Sequence, residues 1–179
     1  MSKNISTEDL KKIKAMVFDV DGVMTDGGIL ATETGELYRV FDAKDGFGLR
    51  MAAMHGYTLG IITGGRSESI LQRGLKLGFK AENIYLHSRN KIEDFEDFCK
   101  RNDVLPEEVM YFGDDIPDIC VMERCGISAC PSDASEEVLE VADFISPYAG
   151  GRRFIRNTVK MIMEAHGNWI MDAESYKQF

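Results

Sequence analysis

This 179-residue chain predicts an α/β fold, a Rossmann-like parallel sheet with helices on both faces, and three observations carry that expectation. Short apolar runs alternate with longer amphipathic segments, the pattern of strands joined by crossover helices. Glycines stand where several of the amphipathic segments must end. Carboxylates gather just past two of the apolar runs, at the sheet edge where open α/β folds hold their ligands.

The expected strands, in chain order, are residues 15–18, 57–62, 83–86, 109–112, 127–130 and a weaker run at 143–146. Residues 45–55 and 66–77 read as helices closed by Gly56 and Gly78, positions suited to a left-handed helix end. Residues 91–101 place Ile92, Phe95, Phe98 and Cys99 on one face, and residues 116–124 carry Ile119, Val121 and Met122 before Cys125 and Gly126. One stretch breaks the alternation. Residues 27–41 alternate with period two on either side of Glu33, Thr34 and Gly35, which predicts a β-hairpin flap after the first strand. The tail, 150–179, starts with Arg152, Arg153 and Arg156, continues as a helix through Met161, Ile162 and Ala165, and ends with Trp169 and Tyr176, which dock on the chain's own helices or on a neighbouring subunit. No repeat or linker divides the chain, so one domain over residues 1–179 is expected.

Thirty acidic residues against 21 basic ones give a net charge of −9, which disfavours nucleic acids and anionic membranes as partners. A polar, acidic start and the lack of a long apolar run predict a cytoplasmic location. The four cysteines, Cys99, Cys120, Cys125 and Cys130, lack paired metal-ligand spacing and are expected as buried free thiols. His55, His87 and His166 are isolated, and Met51, Met54, Met161 and Met163 read as core.

The chemistry starts at Asp19 and Asp21. Side chains at i and i+2 of a strand share a side, so both acids project from the end of the first strand toward one place. Asp114, Asp115 and Asp118 repeat the arrangement after the fourth run. Converging carboxylates repel one another, and a bound cation or raised pKa values relieve the repulsion. Oxygen-only ligands favour magnesium, a metal that pairs readily with substrate phosphate. Thr63, Gly64 and Gly65 form a strand-to-helix junction whose free amides suit an anion. Lys91 stands at a helix start, where the helix dipole disfavours a cation and a functional role offers an explanation.

In this order the four elements resemble the haloacid dehalogenase superfamily of phosphohydrolases. The resemblance implies a magnesium-dependent phosphatase with Asp19 as nucleophile and Asp21 as proton donor. It implies Thr63, Gly64 and Lys91 as phosphoryl contacts, metal held by Asp19, Asp21 and Asp114, and Asp115 and Asp118 as supports. Neither usual insertion point has room for a cap domain, so the chain is expected to be capless and to borrow walls from a neighbour.

The finer pattern, residues 19–27, 41–48 and the Gly150-Gly151-Arg152-Arg153 turn, is similar to the 3-deoxy-D-manno-octulosonate 8-phosphate phosphatase family. That resemblance implies a homotetramer built through the hairpins, a phosphorylated sugar-acid substrate and a role in lipopolysaccharide biosynthesis. Relatives of the same architecture act on nonulosonate 9-phosphates, and a non-catalytic oligomerisation or sugar-binding module is the other alternative. Gly65 stands where octulosonate phosphatases often carry arginine. Arg66, Arg73 and Lys76 are the candidate replacements, and Arg152 and Arg153 the candidates from the tail, the alternative being solvated basic surface.

Overall fold

The computed structural model describes residues 5–169. Strand β1 (Ala15–Phe18) is buried along its whole length, with Met16 and Phe18 facing one layer and Ala15 and Val17 the other. Such two-sided burial is what a central strand of a parallel sheet requires. After two short strands, β2 (Leu30–Ala31) and β3 (Leu37–Tyr38), and helix α2 (Ala43–Met54), strand β4 (Thr58–Ile62) pairs parallel to β1 with Phe18 opposite Ile61. Helix α3 (Glu68–Leu77) leads outward to β5 (Ile84–Tyr85), and α4 (Lys91–Asn102) returns the chain to β6 (Val109–Phe112) on the far side of β1. The chain then continues through α5 (Ile119–Met122), β7 (Ile127–Cys130), α6 (Glu136–Val141), β8 (Phe144–Ile145) and α7 (Phe154–Ala165). The sheet order is β5-β4-β1-β6-β7-β8, so the direction of winding reverses between β1 and β6. Open α/β sheets form their ligand crevice at such a reversal.

Two cores flank the sheet. Leu49, Met51 and Ala52 of α2 and Phe154, Val159 and Ile162 of α7 cover the Met16 and Phe18 face. Phe95, Phe98 and Cys99 of α4, Val121 and Met122 of α5 and Val138 of α6 cover the Ala15 and Val17 face. Asp45, buried near the start of α2, accepts hydrogen bonds from the backbone amides of Arg156 at 2.7 Å and Arg153 at 3.3 Å and so caps α7. Trp169 packs on the chain's own helices, its ring 6.5 Å from Phe47 and 4.6 Å from the Arg156 guanidinium. Tyr176 lies outside the described residues.

Several expected bounds shift. The 66–77 helix starts at Glu68 and the 83–86 strand shortens to Ile84–Tyr85. Residues 116–124 split into a 3-10 turn, Ile116–Asp118, and α5, because Pro117 and the Asp115 cap favour a tight first turn. A four-residue helix, α1 (Thr7–Leu10), and helix α6 were not expected from the sequence. The hairpin pairs only Leu30 with Tyr38 and Ala31 with Leu37, as a separate two-stranded sheet. Of the four cysteines, Cys99 and Cys130 are buried as expected, but Cys120, on the outward side of the short α5, is exposed and Cys125 is half-buried.

Gly60 in β4 lies against the Phe98 ring, and a Cβ there would come within 2.6 Å of Cε2. Gly60→Ala is expected to lower the unfolding free energy by about 1–3 kcal/mol through overpacking, measured by urea denaturation. Phe98→Leu in the same chain should recover part of that loss.

Candidate active site

A cleft of about 600 Å³ opens over the carboxyl ends of β1, β4 and β6, lined by Asp19, Asp21, Thr63, Gly64, Lys91, Asp114, Asp115 and Asp118 among others. Asp19 directly continues β1, its amide donating to the Phe112 carbonyl at 2.9 Å, so its side chain is placed by the ladder itself. Asp114 follows the neighbouring β6. One carboxylate oxygen from each of Asp19, Asp114 and Asp118 lies within 4.8 Å of the others. Gly22, at φ +86°, makes that convergence possible: a Cβ there would fall 1.9 Å from Asp114 Oδ2.

Lys91, the first residue of α4, is buried between two of these acids, with Nζ 2.7 Å from Asp118 Oδ1 and 3.1 Å from Asp19 Oδ1. Burial works against its charge, but the Asp19 and Asp118 carboxylates outweigh it and hold its pKa above the ordinary lysine value. Asp118 is saturated. Its Oδ1 accepts from Lys91 and from the Tyr111 hydroxyl at 2.6 Å, and its Oδ2 accepts from the amides of Asp114 and Asp115 at 3.1 and 3.3 Å. It therefore orients the other groups from behind. Asp115 caps the following turn, with Oδ1 accepting from the Ile116 amide at 2.9 Å.

Asp19 Oδ1 and Asp114 Oδ1 are different. Both are buried and neither accepts a hydrogen bond of good geometry, Lys91 approaching Asp19 as an ion pair alone. Burial, and then the charge of Asp118, pushes Asp19 up to about 6. Burial, and then the charges of Asp19, Asp118 and Asp115, pushes Asp114 up to about 8. Two converging carboxylates, each with a buried unsatisfied oxygen, in a polar cleft fit a hard divalent cation. Asp21, expected among the metal residues, lines the cleft with its carboxylate held by Arg39, Oδ1 accepting from Nε at 2.6 Å and Oδ2 from Nη2 at 2.9 Å.

Thr63 and Gly64, the expected phosphoryl contacts, also line the cleft. The Thr63 carbonyl accepts from the Ser88 amide at 2.9 Å and the Gly65 carbonyl from the His87 amide at 2.8 Å, which pins the junction to the loop after β5. Thr63 Oγ1 accepts from the Gly65 amide at 3.1 Å, leaving its proton free to donate into the cleft.

The five expected basic substrate contacts do not line the cleft. Arg73 is wedged against Gly46 of α2 with its guanidinium 5.9 Å from the Phe41 ring, because α3 packs that face onto α2. Arg66 and Lys76 are exposed near the start and end of α3. Arg152 pairs with Asp26 at 2.9 Å, and Arg153 lies 5.3 Å over the Tyr148 ring. The cleft instead contains Ser88, Arg89 and Asn90, and Arg39 borders it. The first three sit in the loop after a strand that leads to Lys91, a place where strand-end residues could have been sought. Arg39 had no such signal.

A family profile for haloacid dehalogenase-like hydrolases matches residues 69–150. Fold and site together therefore define a haloacid dehalogenase-like hydrolase. The chain is 34% identical over 157 residues to the 3-deoxy-D-manno-octulosonate 8-phosphate phosphatase of Escherichia coli K12, covering 88% of this chain and 82% of that protein. The crystal structure of the same phosphatase from Yersinia pestis superposes with a TM-score of 0.87 at 30% identity, covering 90% of this chain and 86% of that one. The Moraxella catarrhalis phosphatase, in complex with magnesium ion, phosphate ion and KDO molecule, gives a TM-score of 0.87 at 27% identity over 96% of this chain and 95% of that one. The chain belongs to the 3-deoxy-D-manno-octulosonate 8-phosphate phosphatase family.

The raised Asp19 and Asp114 values set a pH dependence. The folded chain holds these protons more tightly than the unfolded one, so their contribution to stability is complete below the unfolded carboxyl value of about 4. It is lost as pH rises through about 6 for Asp19 and about 8 for Asp114. A cation takes the place of those protons, so added magnesium should raise Tm more at about pH 9 than at about pH 5. A magnesium shift that is equal at both pH values in thermal melts would contradict the assignment.

Proposed function

We propose that this chain is a magnesium-dependent phosphomonoester hydrolase that releases phosphate from 3-deoxy-D-manno-octulosonate 8-phosphate through an aspartyl phosphate on Asp19. The observation that carries the proposal is the Asp19 carboxylate in the cleft, beside the buried Lys91 ammonium and with an oxygen within 4.8 Å of one from Asp114. The substrate class is taken from the family's curated members and from the sugar acid bound to the Moraxella relative.

Asp19 and Asp114 would hold the cation. When bound, magnesium supplies positive charge between the anionic nucleophile and the phosphate dianion, the main requirement of phosphoryl transfer. Thr63, the Gly64 amide and Lys91 receive the phosphoryl oxygens. Asp19 forms a bond to phosphorus as the bond to the sugar oxygen breaks, and Asp21 gives that oxygen a proton. Asp21 then takes a proton from the water that attacks the aspartyl phosphate, and Asp19 is regenerated. Asp118 keeps Lys91 in place throughout, as its hydrogen bonds to Lys91 and Tyr111 allow.

The proposal extends to the assembly. Ile29, Leu30, Leu37, Tyr38 and Val40 are 46%, 66%, 41%, 53% and 78% exposed on one small hairpin. A lone two-stranded hairpin is marginal in water, so pairing with hairpins of other copies in a homotetramer stabilises it. Since Arg152 and Arg153 lie outside their own cleft, we assign them to a neighbour's substrate carboxylate. The free cysteines suit a reducing compartment, and we place the reaction in the cytoplasm.

A panel of octulosonate 8-phosphate, nonulosonate 9-phosphates and an aryl phosphate, assayed with and without magnesium, tests the substrate. The octulosonate ester is expected to be hydrolysed best. Preference for a nonulosonate ester would reassign the chain, and stable binding without phosphate release would favour a sugar-binding module. Asp19→Asn should fold normally and lose nearly all turnover, because an amide cannot form the acyl phosphate. For the assembly, Leu30→Asp with Val40→Asp should shift sedimentation from tetramer to smaller species and raise KM for the sugar acid. A wild-type monomer with full activity would refute the shared-site proposal.

A further inference from the structure

Arg39 follows β3 on the hairpin, and its side chain is only 2% exposed although Tyr38 and Val40 on either side are open to solvent. Three of its guanidinium nitrogens are engaged at once. Nε and Nη2 grip the two oxygens of Asp21, and Nη1 donates to Ser67 Oγ at 3.0 Å and to the Leu37 carbonyl at 3.5 Å. Ser67 is the N-cap residue of α3, yet its hydroxyl makes no capping bond. It accepts from Arg39 and donates to the Leu37 carbonyl at 3.4 Å. An N-cap serine ordinarily spends its oxygen on a helix amide, so here the hydroxyl is committed to seating the hairpin. Gly65 leaves the space: a Cβ there would stand 3.4 Å from Arg39 Nη2 and 2.8 Å from Ile70 Cδ1.

From this geometry we infer that Arg39 is a positioning residue. It fixes the plane of the Asp21 carboxylate at the mouth of the cleft and makes that placement depend on the hairpin being seated on Ser67. The inference rests on the role proposed above for Asp21. A carboxylate has about four acceptor positions and the fork uses two of them, one on each oxygen. The others remain open for the single proton that Asp21 passes to the departing oxygen and recovers from water. Arg39 keeps its own protons throughout. Lysine cannot reproduce the planar, two-point grip.

The test compares kcat/KM for a simple alkyl phosphate and for an aryl phosphate with a good leaving group, on the magnesium-loaded full chain. The first ester needs a proton on its leaving oxygen and the second does not, and neither depends on the sugar's identity. Arg39→Ala should lower the alkyl value by about 10²-fold, the cost of misplacing a catalytic group, and change the aryl value less than about threefold. Arg39→Lys should recover only part of the loss. Ser67→Ala, which removes the seat and leaves the fork, should give a smaller loss with the same ester preference.

In the Asp21→Asn background, Arg39→Ala should add almost nothing, because residues that act through one another are not additive. Equal losses on both esters, or an undiminished loss in the Asp21→Asn background, would overturn the inference. If Asp21→Asn alone reduces both esters equally, the proton-donor role of Asp21 fails. The double-variant coupling still decides whether Arg39 acts through Asp21.

Discussion

Three carboxylates converge, and two of them, Asp19 and Asp118, meet one buried ammonium. Adjacent parallel strands lie about 4.8 Å apart, so acids that continue β1 and β6 cannot avoid one another once the register sets Phe18 beside Phe112. Lys91 answers part of that charge from the start of α4, a position that helix electrostatics alone would give to an acid. Asp118 is fully spent on holding Lys91, Tyr111 and two amides. The remaining imbalance falls on Asp19 and Asp114, each with an unsatisfied oxygen and each held above the ordinary carboxyl value first by burial and then by the neighbouring charges. A site that is strained in this way toward binding protons is equally prepared to exchange them for a cation.

The rest of the fold serves that edge. Helices α2 and α7 cover one face of the sheet and are joined at the buried Asp45 carboxylate, which caps α7 from α2. Burial pushes Asp45 up to about 6 even against the lowering effect of the Arg156 amide. That cap also reaches the Arg153 amide, so α2 is tied to the turn that carries Arg152 and Arg153 at the base of α7. The opposite face, built on Phe95 and Phe98, anchors α4 and so determines where Lys91 begins.

The hairpin has a different physical character. Its outer face is apolar and exposed, and its contact with the body that bears on the chemistry runs through one half-buried arginine. A segment with little core of its own is held by what covers it and by what it grips. Here the grip is on Asp21. A partner surface that seated the hairpin would act on the same strand-end whose next-but-one neighbour, Asp19, is the proposed nucleophile.

The parallel sheet, the two faces of helices and the meeting of Asp19, Thr63, Lys91 and Asp114 at one sheet edge were legible in the sequence, because strand periodicity and strand-end chemistry are local properties. The short helices α1 and α6 were not, since a few residues of helix carry too little periodicity to stand out. Nor was the start of α3, where the serine hydroxyl is diverted to Arg39. Arg73 and Lys76 looked available as cations on one helix, but α3 packs Arg73 against Gly46 and Phe41 and points neither residue at the cleft. The separation of roles between Asp118, which is saturated, and Asp114, which is open, depends on where Tyr111 and Lys91 meet in space. The sequence by itself determined which groups could do phosphoryl chemistry. Only the tertiary structure decided that Arg39, 18 residues away along the chain, would be the one to hold Asp21, because hydrogen bonding between distant segments follows packing and leaves no period or spacing to read.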